Sequence, residues 1–139
     1  MKYLIATLAT LLAPSLAWAE TPQALLDQAL LLGPAQLGAP EGQPVIFGQA
    51  GDAAYVANLG GPDCRTDADG CDTIRFSSFA PAADQAALDA WNAAGNGSQV
   101  ALDGEWVSLS AEMPVTGNAQ AVFANWNALL TQFVQTFEP

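Results

Sequence analysis

Residues 100–113, Val-Ala-Leu-Asp-Gly-Glu-Trp-Val-Ser-Leu-Ser-Ala-Glu-Met, read as a β-hairpin, and no other segment of the chain restricts the fold as much. Asp103-Gly104 is the dipeptide that most readily forms a type I′ turn, because both central residues need φ > 0 and Asp and Gly adopt it at the least steric cost. A turn there sets Leu102 opposite Glu105 and Val100 opposite Val107. Strand alternation then places Val100, Leu102, Val107, Leu109, Ala111 and Met113 on one face, and Trp106, Ser108, Ser110 and Glu112 on the other. One face is expected to be core and the other mostly solvated.

The start of the chain has the pattern of an export signal rather than of a folded element. Lys2 supplies a short positive region, residues 4–16 an apolar run, and Ala17-Trp18-Ala19 a small-x-small cleavage pattern. Cleavage is expected between Ala19 and Glu20, because the run is shorter than the ~20 apolar residues of a membrane-spanning helix. The expected mature chain, residues 20–139, is the size of one domain with a single core. Its basic side chains are Arg65 and Arg75 against 14 acidic residues, so losing Lys2 takes the net charge from −11 to −12. Phosphate backbones and anionic bilayers would repel such a chain, which argues against nucleic-acid binding and against membrane binding after cleavage.

Taken in order, Thr21-Pro22 is a helix start, with Thr as N-cap and Pro at the first helical position. Leu25, Leu26, Ala29, Leu30 and Leu32 continue it as an apolar stripe, and Gly33-Pro34 ends it. Residues 34–42, rich in Gly, Pro and Ala, read as a connector. Residues 45–48 and 53–59 read as two strands joined by a turn at Gly51-Asp52. Residues 60–72 are a loop, and residues 73–79 a strand that alternates Ile74, Phe76 and Ser78 with Arg75, Ser77 and Phe79, with Phe79 at its end facing a helix. Residues 81–94 read as a second helix anchored by Leu88 and Trp91 and stopped by Gly95-Asn96-Gly97. After the hairpin, Asn118 caps a last helix in which Val122, Phe123, Trp126, Leu129, Leu130, Phe133 and Phe137 recur at helical spacing. The fold class expected is α+β: one domain with an antiparallel sheet of about five strands, an N-terminal helix, a middle helix and a long C-terminal helix.

The order of elements and several local strings resemble the YbjN domain family. Gly42-Gln43-Pro44-Val45-Ile46 resembles the start of that family's first strand, Cys64 the cysteine that often follows its second strand, and Ile74-Arg75-Phe76 its apolar-x-Phe strand. Leu88-Asp89-Ala90-Trp91-Asn92 matches its Leu-x-x-Trp-Asn helix, and Leu102-Asp103 with Val107-x-Leu109 its hairpin. Where the family tends to carry an aromatic and basic residues before the Leu-Asp pair, this chain has Asn96, Gly97, Ser98, Gln99 and Ala101. The resemblance covers essentially all of residues 20–139. It implies a fold like that of type III secretion chaperones and a regulatory or stress-related role with no agreed catalytic function.

The inventory of chemical groups is poor for an enzyme. The chain has no His and no Lys after Lys2, which leaves Ser/His, Cys/His and Schiff-base chemistry without their bases or amines. Cys64 and Cys71 are the only cysteines, and in an oxidising compartment they are expected to pair. Asp63, Asp67, Asp69 and Asp72 with Gly70 resemble part of a calcium loop, but that spacing puts Arg65 at the first ligand position and Phe76 at the twelfth, where a bidentate acid is needed. No metal ligand or cofactor site is assigned. Trp91 and Trp126 belong to helical apolar stripes and are expected in the core. Trp106 stands on the polar face of the hairpin, where it either packs beneath a helix or loop or marks a contact surface. The function expected is that of a periplasmic or secreted, non-catalytic domain. It would bind a protein partner, or its own copies, through its sheet face or a strand edge. The alternative is a small-ligand or Ca²⁺ module that uses the acidic loop at 63–72.

Overall fold

The computed structural model describes residues 20–65 and 70–138. The first helix, α1 (Pro22–Leu32), begins as its sequence requires: the Thr21 hydroxyl accepts a hydrogen bond from the Ala24 N–H at 3.0 Å, satisfying one of the free donors of the first turn. Leu25 and Ala29 are buried on its inner side, whereas Leu30, placed on the apolar stripe by its spacing, is half exposed. The following segment is more than a connector. It contains a short strand, β1 (Ala35–Gly38), and a one-turn 3₁₀ helix at Pro40–Gly42. Gly and Pro concealed the strand because they flank it: Pro34 and Pro40 bracket four residues that pair with the next strand.

The rest of the sheet comprises β2 (Val45–Ala50), β3 (Ala53–Gly60), β4 (Thr73–Pro81), β5 (Gln99–Asp103) and β6 (Trp106–Pro114). Among the described residues the sheet has six strands, not five, in the order β1-β2-β3-β4-β6-β5, every neighbour antiparallel. Between β4 and β5 the chain crosses through α2 (Gln85–Ala93), and β6 returns between them. Since β4 runs on to Pro81 without losing its alternation, α2 starts at Gln85 rather than near Pro81. Phe79 accordingly faces away from the helices and is half exposed.

The hairpin turns one residue later than its sequence suggests. Asp103 pairs with Trp106 and Leu102 with Val107, so the connecting residues are Gly104 and Glu105. Gly104 has φ +66° and Glu105 does not have positive φ, which excludes a type I′ turn. Val100 therefore lies opposite Leu109 instead of Val107, a slip of two residues. A slip of two preserves the side-chain period, so the two faces keep the residues the pattern assigned to them.

The three α-helices among the described residues pack on one side of the sheet. α1 lies against β1 and β2, α2 against β5, and α3 (Ala119–Phe137) against β4, β6 and α1. The core between the layers is largely aromatic: Phe76 stacks on Trp126 at 4.8 Å between centroids, Phe123 meets Phe76 edge-on at 5.4 Å, and Trp91 meets Phe133 at 6.0 Å. Val122, Phe123, Trp126, Leu129, Leu130, Phe133 and Phe137 are all buried. Asn118 stands at the N-cap of α3, but its Oδ1 accepts from the Thr116 N–H at 2.7 Å instead of from the helix. At β2, Gly48 faces the core directly beneath the Tyr55 ring, and a Cβ there would overlap the phenol.

Candidate functional site

With the three α-helices on one side, the opposite side of the sheet carries no described α-helix, and on it only Val45, at the start of β2, is a buried hydrophobic residue among the described residues. Strand register defines what it displays. Phe47 on β2 pairs with Val56 on β3, which pairs with Ser77 on β4; Phe79, two residues further along β4, pairs with Ser108 on β6; and Trp106, two residues away on β6, pairs with Pro81. Phe47, Val56, Phe79 and Trp106 thus form one diagonal apolar stripe across four strands, with direct and diagonal cross-strand neighbours close enough for large side chains to touch. Phe47, Phe79 and Trp106 are 48%, 51% and 54% exposed. Sequence reasoning singled out Trp106 alone. Phe47 was hidden in the run Val45-Ile46-Phe47, where two adjacent apolar residues mask the alternation, and Phe79 by its position at the end of a strand.

The surroundings of Trp106 also differ from those implied by a turn at Asp103-Gly104. Its cross-strand neighbours are Asp103 on β5 and Pro81 on β4, whereas Ala101 lies opposite Ser108. Away from the stripe the face is polar, with Asn58, Thr73, Ser77 and Ser110 around an exposed ion pair between Arg75 and Glu112 at 3.5 Å. That pair contributes little stability in water.

The sheet edges are unequal. On β5, the Val100 N–H donates to Asn92 Oδ1 and the Val100 C=O accepts from Asn92 Nδ2, both at 2.9 Å, so the side chain from α2 occupies the positions a neighbouring strand would take. The adjacent Ser98 N–H donates to Asn96 Oδ1, and the Ser98 hydroxyl accepts from the indole N–H of Trp91 at 2.9 Å. The Trp91-Asn92 pair of the helix motif therefore fastens α2 to the β5 edge. The β1 edge is four residues long and flanked by prolines, which limits strand addition there.

Cys64 and Cys71 form a disulfide with Cα atoms 4.4 Å apart, and both are buried. The Cys71 N–H and C=O exchange hydrogen bonds with Glu20 at 3.1 and 2.8 Å, and the Asp72 C=O accepts from the Val115 N–H at 2.8 Å, which binds the loop to the start of the fold and to the segment after β6. This disulfide fits an oxidising, extracytoplasmic compartment. Of the acidic residues in the loop, Asp67 and Asp69 lie outside the described residues, as do Ala19 and the rest of the expected signal; among the described residues no three His, Cys, Asp or Glu side chains gather as metal ligands would. No described helix is long and apolar enough to cross a membrane. Burial pushes the Tyr55 phenol up to about 12, so it remains protonated. No family model matches this chain, and no curated protein matches it.

Proposed function

We propose that this chain is an exported, non-catalytic protein-binding domain of the YbjN-like, chaperone-like kind, and that it engages its partner through the uncovered sheet face with Trp106 in the contact. The observation that carries this reading is the exposed apolar stripe from Phe47 to Trp106 on the side of the sheet away from the three α-helices. Removing the exposed part of each of its three aromatic side chains from water is worth about 2 kcal/mol at ~25 cal/mol per Å². Aromatic residues on an otherwise polar face are also where binding energy concentrates in protein interfaces. The edges support the face over strand addition, because Asn92 occupies one and the other is short.

Export to the periplasm or outside the cell is supported by the signal pattern before Glu20 and by the disulfide. Cleavage between Ala19 and Glu20 would leave the Glu20 pairing with Cys71 in place. Affinity capture of the mature protein from its native exported fraction, repeated with Trp106→Ala and Phe79→Ser, tests the reading. Loss of a stoichiometric partner in both variants, with unchanged melting temperatures, is the expected result. Retention of the partner by both variants would place binding elsewhere.

A further inference from the structure

We infer that the occupant of the uncovered sheet face is a second copy of this chain, paired face to face about a twofold axis. The inference rests on the sheet face being the binding surface and adds the identity of what covers it. Two copies that each carry about a dozen net negative charges repel one another, so a self-pairing surface has to be nearly free of charge. This face is. Of the 14 acidic residues in the chain, the strand positions facing this side hold two, Asp103 and Glu112, and Glu112 is paired with Arg75 within the same face. A foreign partner chosen by charge would instead be drawn to the acidic remainder of the surface.

Shape and size agree with charge. An axis perpendicular to the stripe sets Phe47 of one copy against Trp106 of the other, and Val56 against Phe79, so aromatic meets aromatic at each end and each large side chain meets an apolar one. A twofold contact demands such self-complementarity. Six strands at ~4.8 Å spacing, with about five residues of each in the contact, give a footprint of roughly 500 Å² per copy before side-chain relief, or on the order of 1,000–1,400 Å² in total. That reaches the lower range of specific dimers.

The test is sedimentation equilibrium of the mature, disulfide-bonded protein over about two decades of concentration at low and high NaCl. A monomer–dimer equilibrium is expected, tightening by roughly 5-fold or more as salt screens the repulsion between copies. Phe79→Asp, which sets an unpaired carboxylate against Val56 of the other copy and removes an aromatic contact, should weaken the dimer by ~100-fold or more, while Ala124→Asp on the exposed side of α3 leaves it unchanged. In the wild type, Trp106 emission should shift to the blue on dimerisation, since Trp91 and Trp126 are already buried; this readout does not depend on the variant folding. A monomer throughout, a dimer untouched by Phe79→Asp, or a dimer weakened by salt would each overturn the inference. If the protein alone stays monomeric but a captured foreign partner is lost with Phe79→Asp, self-pairing falls and the sheet face remains the binding surface.

Discussion

Tyr55 is the only tyrosine after residue 19, and among the described residues its hydroxyl and the indole N–H of Trp126 are buried without hydrogen-bond partners. A phenol in such a place loses water and gains nothing in return, which raises its pKa from 10 to about 12. A pKa raised on folding means that stability is intact below pH 10 and falls as pH rises toward 12, because only the unfolded chain ionises freely. Ultraviolet titration of the mature protein should therefore detect a single phenol ionising near 12 in the folded state and near 10 in urea. Tyr55→Phe should abolish the alkaline loss of stability and leave neutral-pH stability equal or up to ~1 kcal/mol higher, as measured by urea unfolding. Gly48→Ala should cost about 2–3 kcal/mol in the same assay, since its Cβ meets the Tyr55 ring, which is buried against Phe76 and Trp126.

Elements were legible in the sequence wherever their periodicity was long and uninterrupted. α3 repeats seven large apolar residues, from Val122 to Phe137, at helical spacing, and all seven are buried. β1 was illegible for the opposite reason: four residues between prolines carry no period, and only pairing with β2 makes them a strand. The hairpin turn shifted because Gly104 accepts positive φ at the first central position, which frees Asp103 to pair with Trp106. Of the candidate site, the exposed Trp106 was readable from alternation, whereas Phe79 required knowing that β4 continues to Pro81 and Phe47 that β2 faces helices on one side alone. Asn92 is the element-scale residue that sequence pattern marked without explaining. Asn92→Ala removes both hydrogen bonds to Val100; a loss of about 1–3 kcal/mol is expected by thermal unfolding, along with new concentration-dependent aggregation through the opened β5 edge.

The whole molecule separates stability from binding by the two sides of one sheet. Helices, aromatic core and disulfide lie with one side or beside it, and the other carries the exposed stripe. Reducing the Cys64–Cys71 bridge, or replacing both residues by Ser, should lower stability by ~2–3 kcal/mol while leaving association through the face intact, because the loop lies at the ends of β3 and β4, away from Trp106. Melting curves and association measurements on the same double variant separate the two effects. The most direct test of a covered face is hydroxyl-radical footprinting of the protein in its native exported fraction beside the dilute purified mature chain. Phe47, Phe79 and Trp106 are expected to be protected in the native fraction and labelled when dilute, while Leu31 of α1, 74% exposed and on the helix side of the sheet, is labelled equally in both. Equal labelling of the three aromatic residues in the two samples would contradict it.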